Sequence, residues 1–450
     1  MEEVVMTTDT SVALPQIQRK RTEAGNYFIS NYPPFSFWTA DEVPALHDAL
    51  KTAPVAGTPL GIYVHIPFCR KRCHFCYFKV YTDKNAGQIR RYLSAVLSEL
   101  RAYAGQPLIR GRKPLFIYFG GGTPSYLSPD QLRELFDGMK GILPWDAARE
   151  VAFECEPGTL TGPKLEVLKE LGITRLSLGI ENFDDDILEV NGRAHRSQEI
   201  HRAYDRARAL GFDQINIDLI AGMLEETESN WHRCIEKTIA LQPDCVTIYQ
   251  MEVPYNTTIY RQMKAQGRLT APVADWPTKR RWVGEAFGAL EAAGYTVTSA
   301  YTAVRDAQRY RFEYRDRLWS GADLLSVGVS SFGHLCGVHY QNEKDFEPYL
   351  QRVEARALPL GRALATTEQE RMIRELVLRM KLGRVNLADF QQKFGVDVRT
   401  HFAEAIASIV DRNLGVIEGG QLRLSREALL RVDTLLPSFF LPRHRGARYT

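Results

Sequence analysis

Cys69, Cys73 and Cys76 stand as C-x3-C-x2-C inside HIPFCRKRCHFCYF, in a chain of 450 residues that has only seven cysteines. The other four, Cys155, Cys234, Cys245 and Cys336, are scattered singly and read as small buried positions, so a disulfide framework is not indicated. Thiolates this close together suit a metal centre. Tetrahedral zinc usually takes four protein ligands in two pairs, and no second pair lies nearby; His65 and His74 could complete such a site, although His65 falls within a strand pattern. Three thiolates on a four-iron cluster leave one iron open to a substrate or cofactor. A glycine run, GGGTP (120–124), offers close backbone approach and N–H groups able to hold an anionic moiety. Carboxylates follow it at strand ends: the pair Glu154 and Glu156, then Glu181, Asp218 and Glu252.

These residues sit at the ends of a repeating pattern. Apolar runs GIYVHI (61–66), LFIYF (115–119), VAFEC (151–155), RLSLGI (175–180), INIDLI (215–220) and CVTIYQ (245–250) read as strands. Helical patterns fill the intervals at 88–104, 129–142, 163–171, 197–210 and 227–241. Strand–helix alternation with strands apolar throughout predicts an α/β fold: a parallel sheet with right-handed crossovers, closed into a partial (β/α)6 barrel. In such barrels the chemistry gathers at the C-terminal strand ends, where the cysteine trio, GGGTP and the charged residues all fall.

The flanks differ. Residues 1–25 are polar and read as a disordered arm, whereas NYFISNYPPFSFW (26–38) is aromatic enough to pack over something. LLSVGVSSFGHL (324–335) suggests a further strand near the barrel mouth. From 366 the pattern is helical, opened by a Thr367/Glu370 capping box and continued at 387–394 and 399–413, with a hairpin through Gly419-Gly420. This winged-helix-like module lacks a basic cluster, which favours packing or lid duty over nucleic-acid binding. The net charge of +3 points to neither nucleic acid nor an anionic membrane, no apolar run could span a bilayer, and the start lacks a secretory pattern, so a cytoplasmic location is expected.

The trio after the first barrel strand, its third cysteine preceded by an aromatic, resembles the radical S-adenosylmethionine (SAM) superfamily. YVHIPFC, YFGGGTPSYL, VAFECEP, RLSLGIENF, NGR, NIDLIAG and GVSSFGH narrow the resemblance to the HemN-like, oxygen-independent coproporphyrinogen III oxidase family over roughly residues 25–430. The resemblance implies a 4Fe-4S cluster on Cys69, Cys73 and Cys76, with SAM chelated at the open iron and held by Tyr63, Gly121, Glu154 and Arg193. It also implies a second SAM at Phe75, Gly122, Thr123 and Asp218, and an electron donor such as flavodoxin or ferredoxin. The domains would be an N-terminal segment near the active site (26–58), a radical SAM barrel (59–300), an extension and linker (301–365) and a HemN-type C-terminal domain (366–450).

Some second-SAM positions depart from the oxidase pattern. Glu181 stands in place of glutamine, Glu252 in place of alanine, Phe332 in place of isoleucine, and Phe78 in place of an extra cysteine. These departures favour one branch of the family, in which a methylene radical from the second SAM adds to an sp2 carbon, giving C-methylation or cyclopropanation of a small molecule; Glu181 and Glu252 would be its catalytic bases. Oxidative decarboxylation of coproporphyrinogen III or a related tetrapyrrole is the alternative, supported by the aromatic segment and by QRKR (18–21), which could meet propionates. A haem chaperone, ligated by His195, His201, His334 or His339, is the non-enzymatic alternative.

Overall fold

The computed structural model describes residues 22–447 apart from 26 and 269. The arm and its QRKR motif therefore fall largely outside the described residues. Its last four residues do not fit the expected disorder: Gly25 bridges Val253, Glu23 bridges Thr270 and the Thr22 hydroxyl donates to the Ala274 carbonyl.

Six strands form the centre of the molecule: β1 (Leu60–Ile66), β2 (Phe116–Gly121), β3 (Glu150–Cys155), β4 (Arg175–Glu181), β5 (Gln214–Ala221) and β6 (Cys245–Gln250). They pair in parallel and in chain order, with a helix between successive strands. Almost every residue of β1 to β4 is buried, because helices cover one face and the mouth of the barrel covers the other. Asp323–Val327 adds a seventh parallel strand beside β1, so LLSVG does build the barrel wall. Antiparallel strands then cap both edges, ending at Leu360–Ala365 on one side and at Thr296–Val297 on the other.

Helix starts follow their capping chemistry. Asn85, Ser128 and Thr367 each accept from the third helical backbone N–H while the glutamine or glutamate there reaches back. Two helices at the outer strand edge, Thr258–Ala265 and Trp276–Ala292, escape the sequence reading; the second buries Trp276, Trp282, Val283, Ala286, Phe287 and Leu290 on one face. The helix expected over 399–413 is broken at Phe402 into Val398–His401 and Ala403–Asp411. Cys336, expected to be buried, is half-exposed at a turn with φ 48°, while the other three scattered cysteines are buried.

The C-terminal module packs its own apolar core, in which Ile29 and Tyr32 of the aromatic segment take part. Tyr32 is fully buried against Phe440 and His444, and Trp38 stacks on His339 with ring centroids 5.0 Å apart. The segment thus straps the module to the barrel. No described helix is long and apolar enough to cross a membrane.

Candidate active site

The loop after β1 is pinned on several sides. Cys69 N–H donates to the Tyr81 carbonyl and Tyr81 N–H to that of Pro67, while His74 N–H donates to the Asn191 carbonyl and Cys76 N–H to that of Cys73. These bonds hold the three thiols toward one cavity of about 2290 Å³ at the C-terminal strand ends. Ordinary small-molecule pockets are about 300–1,000 Å³, so this space has room for more than one ligand. All three cysteines are free thiols. Thr123 Oγ1 donates to Cys69 Sγ at 3.3 Å and Arg193 Nη1 to Cys73 Sγ at 3.2 Å. Burial pushes the Cys69 and Cys76 thiols up to about 11 and about 12. Thiols so disfavoured as free anions, yet aimed into a cavity with donors on their sulfurs, suit a cationic metal cluster that would hold them deprotonated.

The glycine run serves this site by what it lacks. Gly121 adopts φ 111°, and a Cβ there would lie 2.4 Å from the His65 ring; a Cβ on Gly122 would meet the Ile66 carbonyl at 2.8 Å. Its N–H groups already have partners. Gly121 N–H donates to Glu154, Gly122 N–H to the Ile66 carbonyl and Thr123 N–H to that of Phe68, so these donors are engaged within the protein. Close backbone approach remains its contribution to the cavity wall.

Seven carboxylates line the cavity, and four of them are the site residues expected from the sequence. Glu154 accepts from the Tyr118 hydroxyl at 2.6 Å as well as from Gly121, yet burial and Asp218 push it up to about 7. Asp218 accepts from Ser177 and Asn216, and burial raises it too. Glu181 ends β4 in the left-handed region at φ 67°, where the register with β5 shifts, and this bulge turns its side chain into the cavity. Burial holds Glu181 up to about 7 despite Arg193 at 3.7 Å. Glu252 accepts from Tyr27 N–H, and burial together with Asp433 raises it to about 8. Glu154 and Arg193 do not pair with each other, since Arg193 is turned toward Glu181, Cys73 and the Gly179 carbonyl.

The remaining expected residues line the same space. Tyr63 stacks beside Tyr118 and its hydroxyl lies 3.1 Å from His65 Nδ1, Phe75 packs with Met223 and Met251, and Phe332 lies under Phe35 of the strap with centroids 4.6 Å apart. The histidines considered for haem are engaged elsewhere: His195 is buried with Glu156 and the Ile180 carbonyl, His334 and His339 contact each other through Nδ1 at 3.1 Å, and His201 lies beside Phe183. Sequence reasoning missed Tyr118, Tyr249, Arg280, Tyr301, Arg431 and Asp433, all of which line the cavity. Tyr118 and Tyr249 were legible as alternating positions of β2 and β6. The others come from helices and turns far along the chain, and no local motif marks them.

The radical SAM superfamily model matches residues 63–237 and the HemN C-terminal domain model matches residues 366–431. The chain is 29% identical over 434 residues to the oxygen-independent coproporphyrinogen III oxidase of Pseudomonas aeruginosa, covering 91% of each chain. It is 28% identical over 360 residues to the heme chaperone HemW of Bacillus subtilis, covering 78% of this chain and 91% of that one. The fold is shared with the coproporphyrinogen III oxidase HemN of Escherichia coli at a TM-score of 0.79 and 23% identity, over 93% of this chain and 99% of that one. A pinned thiol loop at a barrel mouth and the two matched models together show a radical SAM domain followed by a HemN C-terminal domain.

Proposed function

We propose that this radical SAM enzyme carries out oxygen-independent oxidative decarboxylation of a coproporphyrinogen-type tetrapyrrole. The observation that carries the reading is the charge of the cavity. Its cationic lining residues outnumber its carboxylates by about two to one, and Arg280, Arg362, Arg412 and Arg445 have no carboxylate within salt-bridge distance among the described residues. A macrocycle bearing several propionates matches both that excess and the cavity's size. The relatives named as coproporphyrinogen III oxidases, matched over most of their length, support the same substrate class.

A 4Fe-4S cluster on Cys69, Cys73 and Cys76 with SAM at its open iron would supply a 5'-deoxyadenosyl radical. The chain's own residues do the rest. Thr123 and Arg193 orient the sulfurs, and Glu154, braced by Tyr118, places a carboxyl for the ribose or ammonium group of SAM. Tyr63 and Phe75 present aromatic faces, and the strap and the C-terminal module add to the cavity's walls. Asp218, Gly122 and Thr123 would border a second SAM beside the first.

One observation favours a second reading, methylene transfer from that second SAM. Glu181 and Glu252 are held at about 7 and about 8, where a carboxylate can accept the proton such a transfer must release. A single anaerobic incubation separates the readings, using reduced, reconstituted protein with SAM and coproporphyrinogen III. Carbon dioxide with 5'-deoxyadenosine and methionine is the expected result. S-adenosylhomocysteine with a methylated tetrapyrrole overturns it in favour of methylene transfer. Binding of haem without any SAM cleavage overturns both.

A further inference from the structure

The far side of the cavity from the thiol loop holds a pair of arginines with little to do. Arg280 lies on the helix Trp276–Ala292, and Arg431 directly follows the helix Arg426–Leu430 of the C-terminal module. The two helices pack on each other, and Gln250 at the end of β6 donates to the Leu430 carbonyl at 2.9 Å, which fixes the module's approach to the barrel. Both guanidinium groups face the cavity. The Nε atom of each is buried and has no hydrogen-bond partner, and the Oε1 atom of Gln250 beside them is likewise unsatisfied. Arg431 has one carboxylate, Glu427 at 2.6 Å, while Arg280 has none among the described residues and only the Trp276 ring, its guanidinium 5.7 Å from the centroid.

Two like charges side by side at a buried seam are unfavourable by themselves. Burial and the neighbouring Arg431 lower the Arg280 pKa, the direction expected of a cation lacking its counterion. Each orphaned Nε–H costs free energy until an acceptor arrives. A planar carboxylate presents two oxygens to two guanidinium forks and removes the repulsion at once. From this arrangement we infer that Arg280 and Arg431 form an anion subsite that grips a substrate carboxylate remote from the reacting one. Its two halves come from barrel and module, so the C-terminal module takes part in reading substrate charge. This inference rests on the tetrapyrrole reading for the identity of the carboxylate, while the subsite itself rests on the two side chains.

The test compares dissociation constants, by porphyrin fluorescence, for coproporphyrin III and its tetramethyl ester on the wild-type chain, Arg280→Met, Arg280→Lys and Arg431→Met. Coproporphyrin III is expected to bind about tenfold more weakly to either methionine variant, with Arg280→Lys recovering part of the loss and the ester unaffected throughout. Equal affinity of the acid for all four proteins overturns the subsite, as does an equal loss for acid and ester. If neither porphyrin binds the wild-type chain, the tetrapyrrole reading falls and citrate decides the subsite. A citrate-induced rise in melting temperature that Arg280→Met abolishes upholds it, and a rise or its absence common to both proteins overturns it.

Discussion

The two ends of the cavity are built in different ways. At the thiol end, every residue but Arg193, which follows the short helix Asp185–Val190, comes from a strand of the barrel or from the loop right after it, and its position is set by the parallel register of β1 to β6. At the roof, Tyr27, Arg280, Tyr301, Arg431 and Asp433 arrive from four separate stretches and meet only because the strap and the module pack on the barrel. The first end is rigid by construction and suits chemistry common to a superfamily. The second depends on long-range packing, and there a chain can change its substrate without disturbing its cofactors.

Removing a ligand at the thiol end should have the largest effect. Cys73→Ala deletes one of three sulfurs and leaves Arg193 Nη1 facing empty space. The expected outcome is loss of stable cluster uptake and of all SAM cleavage, with little change in folding. Iron and sulfide content after anaerobic reconstitution, read alongside circular dichroism, checks it. Full iron uptake by the variant would break the comparison, because the cofactor end would then not depend on its local motif.

The roof should respond to a polar lock instead. Lys381 is fully buried; its ammonium donates to the Ile29 carbonyl and pairs with Asp433 at 2.7 Å. Asp433 in turn accepts from Ile29 N–H at 2.8 Å and from the Tyr301 hydroxyl. Strap, barrel and module therefore meet at one carboxylate. Asp433→Ala leaves a buried ammonium unpaired and should cost about 3–5 kcal/mol. Denaturant unfolding measures the loss, and faster proteolysis near residues 27–38 would localise it to the strap. Wild-type stability in this variant would show that apolar contacts alone hold the roof.

The same contrast explains what the amino-acid sequence made legible. The six strands, their order and the thiol loop follow from alternating apolar runs and short contiguous motifs, because register in a parallel sheet converts sequence position directly into spatial position. The strap announced itself through aromatic content, though not its partners. Arg280 and Arg431 carried no signal, being ordinary arginines 151 positions apart on amphipathic helices. The engaged N–H groups of GGGTP were equally invisible, since their partners Ile66, Phe68 and Glu154 are fixed by how the neighbouring strands abut.

The smallest expected effect sharpens the comparison within the thiol end, at Glu181. Its carboxyl is held up to about 7 by burial, against about 4.3 in an unfolded chain. Between those values the folded protein binds more protons than the unfolded one, so this group's contribution is fully present below pH 4.3 and is lost as pH rises toward 7. The limiting slope is about 1.4 kcal/mol per pH unit for one proton, over a window that Arg193 nearby narrows from above. Glu181→Gln removes that slope and keeps the shape. Other groups titrate in the same range: His65, pushed down to about 4, is common to both proteins and cancels in the difference, whereas Glu154, pushed up to about 7, repels the Glu181 charge and ionises more easily once it is removed, which adds to the divergence. Melting temperatures of the metal-free proteins should therefore lie close together at pH 5 and diverge toward pH 7, with Glu181→Gln the more stable there. A constant difference across that window would mean that Glu181 is ionised throughout, its charge neutralised by Arg193, and unavailable to accept a proton.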